Sequence, residues 1–166
     1  MSWQDRRNQE EGIHWILPRR RQDGEEALDA VQKQRMVLSV RDEVCIFDFE
    51  ADYSWDNLLV DMDVVIVVAD PLPSKLIGGA GRFTALKKLE LSGSKVVWAV
   101  NRDNGGVSRR QVQAYLKGRP DIWIPVFPAD TIYRCEYSCN FFWKDEEIKR
   151  KMMEIFTKVS QFWTSL

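Results

Sequence analysis

Val44-Cys45-Ile46-Phe47-Asp48-Phe49-Glu50-Ala51-Asp52 joins an apolar run, rich in β-branched and aromatic residues, to a group of acids. This pattern predicts a buried parallel strand over residues 44–47 that delivers a carboxylate to the carboxyl edge of a sheet. Open α/β sheets bind their ligands at that edge. Asp48 is therefore the first candidate functional residue.

Three further runs repeat this design along the chain. They are residues 63–70, which end on an acid, residues 95–102, which end on an amide and a guanidinium, and residues 121–128. Helical patterns separate these runs, and strands that alternate with helices indicate βαβ units with a parallel sheet. The sequence predicts an α/β fold, with a mostly parallel sheet and helices on both faces.

The remaining segments fit around this sheet as a single domain over residues 12–166, preceded by a loose leader over residues 1–11. A short strand is predicted at residues 12–18, and a short helix or ordered loop at 53–62. Residues 130–140 carry an irregular pattern. Helices are predicted over residues 23–40, 82–91, 108–117 and 144–166, with Asp23 and Ser108 as N-caps.

Composition excludes several classes of protein. The chain of 166 residues is 45% hydrophobic and 30% charged, which are globular values, and its net charge of −1 argues against a general binder of nucleic acid or membrane surfaces. No apolar run approaches the roughly 20 residues that span a bilayer, and no secretory signal opens the chain. The three cysteines lack zinc-ligand spacing, and Cys45 is expected to be buried in mid-strand. These features predict a cytoplasmic location.

Two groups of polar residues carry the chemistry. A carboxylate at the end of a buried strand is costly to desolvate and usually has a partner, so Asp48 fits the Mg²⁺-facing acid of a P-loop nucleotidase. Capping of the next turn is the alternative. Asn101 offers a donor and an acceptor to a purine edge, and Arg102 has a guanidinium that stacks on a ring. Asn is also common at the start of turns.

The order of these motifs resembles the C-terminal portion of the MinD/ParA-type ATPases, which are deviant-Walker P-loop proteins. The resemblance spans residues 12–143 and implies a P-loop, Rossmann-like architecture with ATP and Mg²⁺ as cofactors. It implies that Asp48 is the Walker B acid and that Asn101 and Arg102 contact the base. Pro125 to Asp130 would form the loop that flanks the base.

The chain departs from that family at its phosphate-binding residues. No Lys-Gly-Gly-x-Gly-Lys-Thr loop precedes Asp48, and Asp52 stands where the family has a glycine. Residues 77–84 imitate the missing loop, but residues 71–77 separate its glycines from the preceding strand. A flexible helix start is favoured there over a phosphate site. The resemblance thus implies an incomplete or degenerate ATP-binding domain that is not hydrolytic alone.

Two other functions remain open. One is a non-catalytic protein-interaction module on the same scaffold. The other is a receiver-type phosphoacceptor domain using Asp48, which predicts Ser or Thr after the valine-rich strand and Lys after the next. The chain has Ala69-Asp70 and Asn101 at those places, which disfavours it.

The predicted partners follow from the sheet and from the last helix. In the resembled family the phosphate-loop strand lies between the runs at 44–47 and 64–68, which read as buried central strands. Without that strand, unpaired edges favour self-association or a protein partner. The acids of the last helix favour packing on the sheet over binding to anionic lipid.

Overall fold

The computed structural model describes residues 29–39, 44–49, 53–138 and 144–163. The chain divides into two compact units, Met1–Trp55 and Asp56–Leu166. The predicted leader and the predicted strand at residues 12–18 lie outside the described residues.

The first unit contains one described helix, α1 (Ala30–Ser39). It begins with a capping box, because the Gln32 N–H donates to Asp29 Oδ1 (2.7 Å) and the Asp29 N–H donates to Gln32 Oε1 (3.1 Å). The N-cap of this helix is therefore Asp29 and not Asp23, which lies outside the described residues.

The strand predicted over residues 44–47 is not observed. Residues 45–49 have no regular secondary structure. Val44 and Ile46 are 70% and 87% exposed, and Cys45 is exposed as well. The strand and the buried cysteine predicted here are both wrong. A strand of this composition is stabilised by burial of its apolar side chains, and Val44 and Ile46 are not buried here. The rings of Phe47 and Phe49 instead stack on each other at 5.9 Å.

The second unit is an α/β layer structure whose three described strands form a parallel sheet and are paired in chain order. This confirms the predicted fold class. A 3₁₀ helix over Tyr53–Asp61, as predicted, leads into it. The described elements that follow are β1 (Val65–Ala69), α2 (Pro73–Leu91), β2 (Val96–Asp103), α3 (Arg109–Leu116), β3 (Ile122–Pro125), α4 (Ala129–Tyr137) and α5 (Glu146–Trp163).

The central strand β2 is buried from Val96 to Val100 because both of its faces are covered. On one face, Trp98 meets the Phe83 ring of α2 edge-to-face at 6.1 Å between ring centroids. The indole N–H of Trp98 donates to Glu90 Oε2 (3.1 Å), and the Lys87 ammonium lies 4.5 Å from the ring centroid. The polar edge of this large side chain is thereby satisfied inside the α2 layer.

The opposite face of the sheet is covered by α5. Val97 and Ala99 of β2 form a core with Ile122 of β3 and Val159 of α5, and Ile155 packs against it. Asp145 caps the start of this helix, because its Oδ1 accepts the backbone N–H groups of residues 147 and 148, both at 3.1 Å. Packing of the last helix on the sheet is confirmed. None of the described helices is long and apolar enough to cross a membrane.

A side chain takes part in the alignment of β3 with β2. The Asp121 N–H donates to the Trp98 carbonyl (2.9 Å), and the Trp98 N–H donates to Asp121 Oδ2 (2.7 Å). The Asp121 carboxylate thus accepts a hydrogen bond from β2 in the way that a backbone carbonyl of β3 does in a regular ladder. The register continues with Ala99 beside Ile122 and Val100 beside Trp123.

Helix α2 overturns the prediction of a glycine-rich loop before residue 82. It begins at Pro73, in the first turn where proline is favoured, and the three glycines Gly78, Gly79 and Gly81 lie inside it. Gly79 has a packing reason, because a Cβ there would lie 2.7 Å from the Phe83 ring. The helix forms because Leu76, Phe83 and Leu86 bury one face on the sheet, which outweighs the low helix propensity of glycine.

Helix α4 is the second correction, since residues 130–140 were predicted to be irregular. Its first turn follows Pro128, Thr131 is buried, and Arg134 pairs with Asp130 one turn earlier. The apolar residues of this segment do not show a clear helical spacing, because aromatic side chains such as Tyr133 and Tyr137 stay exposed.

The glycines of α2 give a prediction about stability. Gly81→Ala should raise the free energy of unfolding by about 0.5–1 kcal/mol, because a Cβ at this helical position meets open space. Gly79→Ala should lower it, because Phe83 is buried and cannot withdraw from the added methyl group without disturbing Trp98. Urea unfolding of both variants checks this. Destabilisation by Gly81→Ala would contradict a helical segment.

Candidate ligand site at the carboxyl edge of the sheet

The carboxyl ends of the three parallel strands meet at one edge of the second unit. Asp70 follows β1, Asn101 to Asp103 end β2, and Pro125 ends β3 directly beside Asp103 in the register. Three of the residues assigned to base binding by sequence, Asn101, Arg102 and Pro125, therefore lie at the same edge. This is where open α/β sheets bind ligands.

Arg102 has an uncommon backbone conformation at this edge. Its φ of 63° lies in the left-handed region, and the β2–β3 register is irregular between Val100 and Asp103. The side-chain oxygen of Asn101 accepts the Arg102 N–H at 2.9 Å, which supports the turn locally. Positive φ values in residues other than glycine are uncommon. They occur preferentially at ligand sites, where the surrounding structure stabilises them.

The guanidinium of Arg102 lies near the acid that follows β1. Arg102 Nη1 is 3.5 Å from Asp70 Oδ2, and Asp70 Oδ1 accepts the Leu72 N–H at 3.0 Å. The Arg102 side chain is 69% exposed, so solvent screens this ion pair and its contribution is small. Arg102 is therefore held loosely and presents its guanidinium to solvent.

A second arginine at the edge is held much more firmly. Arg109 donates from Nε (2.9 Å) and Nη2 (2.5 Å) to Asp103 Oδ2, and its guanidinium carbon lies 4.7 Å from the centre of the Trp123 ring. The Asp103 side chain is only 9% exposed. The sequence did not predict this cluster, because its three residues come from β2, α3 and β3 and no short motif joins them.

Asp130 lies in the first turn of α4, after the short connection that follows Pro125. Its side chain is 77% exposed and its Oδ2 is 3.5 Å from Arg134 Nη2. It borders an open depression along α4, together with Tyr133, Arg134 and Tyr137. The structure places Asp130 on a helix and not in the loop that the resemblance implies.

Asp48 belongs to the first unit and is exposed. Because its carboxylate is exposed, burial imposes little desolvation cost on Asp48. Within the described ranges, no three His, Cys, Asp or Glu side chains come together in a group that could hold a metal ion.

Comparisons of the chain with protein-family models, with curated proteins and with solved structures find no match.

The Asp103–Arg109–Trp123 cluster gives a prediction about stability. Arg109→Ala should lower the free energy of unfolding by about 1–2 kcal/mol, because the largely buried Asp103 carboxylate loses two charged hydrogen-bond donors to its Oδ2. Arg110→Ala, at the exposed neighbouring position, is the matched control and should change stability by less than about 0.5 kcal/mol. Chemical denaturation measures both. Equal effects of the two substitutions would contradict the role assigned to Arg109.

Proposed function

We propose that the second unit binds a purine nucleotide at the carboxyl edge of its sheet, as an incomplete MinD/ParA-like ATP-binding domain that does not hydrolyse ATP alone. Asn101 and Arg102 contact the base in this proposal, and Pro125 and Asp130 flank it. The observation that carries it is the meeting of Asn101, Arg102 and Pro125 at one edge of two neighbouring parallel strands. ATP and Mg²⁺ enter only through the resemblance stated above.

The geometry of Arg102 supports its part in this proposal. Its guanidinium is exposed, and the surface ion pair with Asp70 contributes about 0–1 kcal/mol, which stacking on a purine ring can replace. Its left-handed backbone positions the side chain at the end of β2. Asn101 is half-buried beside it, with an amide that has both a donor and an acceptor.

A second function has its own observation. Asp70 and Asp103 already bring carboxylates to the arginines of this edge, and carboxylates repel the phosphates of a nucleotide. These ion pairs favour a non-catalytic protein-interaction module in which the edge is closed by its own side chains. Nucleotide binding separates the two functions.

The test is calorimetric titration of the full chain with adenosine, ADP and ATP, with and without Mg²⁺. Arg102→Ala should weaken binding about tenfold, because stacking by a desolvated guanidinium contributes more than 1 kcal/mol. Lys88→Ala, an exposed cation on α2, is the control and should leave affinity unchanged. Absence of binding by all three ligands would reject the nucleotide function and favour the interaction module.

The proposal also predicts that the chain alone is catalytically silent. The phosphate-loop lysines are missing from the sequence before Asp48, and the glycines that imitate the loop are in helix α2, where their backbone N–H groups do not line a phosphate cradle. Loss of one such donor costs about 100- to 1000-fold in rate. Phosphate release should stay at background, and Mg²⁺-dependent release that Asp48→Ala abolishes would contradict this prediction.

A further inference from the structure

Strand β1 has an uncovered side. It stands at the end of the strand order, and none of the described residues pairs with its outer edge. The register sets Ile66 beside Val97 and Val68 beside Ala99, so both share the face that α5 covers. Val97 and Ala99 are 0% and 3% exposed, whereas Ile66 and Val68 are 46% and 60% exposed. The cover of α5 therefore ends before β1.

The same two residues carry the outward backbone groups of the strand. The Val65 N–H donates to the Lys95 carbonyl at 2.9 Å, so Val65, Val67 and Ala69 direct their backbone groups towards β2. Alternation along the strand directs the N–H and C=O groups of Ile66 and Val68 to the outer edge. Exposed apolar side chains and hydrogen-bonding groups thus coincide at these positions.

The composition of β1 does nothing to discourage pairing. Natural edge strands are protected by lysine, proline or a β-bulge, and Val65–Ala69 contains none of these. Its residues are apolar, and four of the five are β-branched, which suits a pleated ladder. A free edge of this kind pairs with another strand when one is offered.

We propose that β1 pairs with β1 of a second copy of this chain, antiparallel and related by a twofold axis at Val67. In this register Ile66 of one copy is opposite Val68 of the other, on the same face of the continued sheet. Both residues direct their backbone groups outward, so each opposed pair exchanges both N–H···O bonds of a hydrogen-bonded pair. An antiparallel neighbour at the edge of a parallel sheet is a common arrangement.

The charges around β1 are compatible with a second copy as the occupant. With the axis at Val67, Asp63 of one copy is opposite Pro71 of the other, and Asp70 is opposite Val64. No carboxylate faces another, although acids stand on both sides of the strand. The twofold register therefore brings no like charges into direct opposition, as an interface between identical copies requires. This inference is independent of nucleotide binding, because it uses the outer edge of β1 and not the carboxyl edge.

Two double variants of the full chain test this register. Ile66→Lys with Val68→Lys places like charges opposite each other in both pairs and should raise the dimer dissociation constant at least about tenfold. Ile66→Lys with Val68→Glu places opposite charges there and should dissociate less readily than the double-lysine variant. Leu91→Lys, an exposed apolar residue at the end of α2, is the control and should leave association unchanged. Circular dichroism confirms that each variant is folded.

Sedimentation velocity and amide hydrogen exchange supply the readouts. The proposal expects a dimer whose Ile66 and Val68 amides become protected as protein concentration rises. A monomer at about 100 μM, a concentration that populates a dimer of micromolar affinity, would overturn it. A dimer that both double variants leave intact would also overturn it. Protection of both amides in a monomer would show that the same chain covers this edge, and would overturn it as well.

Discussion

Burial of β2 on both faces is the constraint on which the second unit depends. Val97 and Val100 are fully buried, and the helices next to the strand cover its two faces. Helix α2 covers the indole of Trp98, and α5 covers Val97 and Ala99 on the other side. A parallel strand buried in this way leaves only its ends for polar chemistry, and this is why Asn101 and Arg102 appear where β2 meets solvent.

The fold is predictable from the sequence where burial and hydrophobic pattern agree. The runs at residues 63–70 and 95–102 predicted β1 and β2, and the spacing of Ile148, Ile155 and Val159 predicted α5. The prediction was wrong where local residue types favour one structure and packing favours another. Three glycines indicated a loop in α2, but packing of Phe83 and Leu86 keeps that segment helical.

Residues 44–49 show the opposite case, in which an apolar run predicts a strand that the structure does not have. An apolar composition indicates a strand only if its side chains are buried against a neighbouring element, and composition does not reveal whether they are. The site was recovered in part for a related reason. Strand ends predicted the placement of Asn101, Arg102 and Pro125, whereas the Arg109 contacts with Asp103 and Trp123 depend on how α3 folds back, which no short pattern encodes.

The exchange of hydrogen bonds between Asp121 and Trp98 has a consequence for how the chain tolerates change in length. A slip of β3 by one residue would turn its whole set of side chains to the wrong layer, since side chains alternate with a period of two. It would also separate the Asp121 carboxylate from its N–H donor. Residues 117–120 therefore behave as a spacer of fixed length between the end of α3 and this contact at the start of β3.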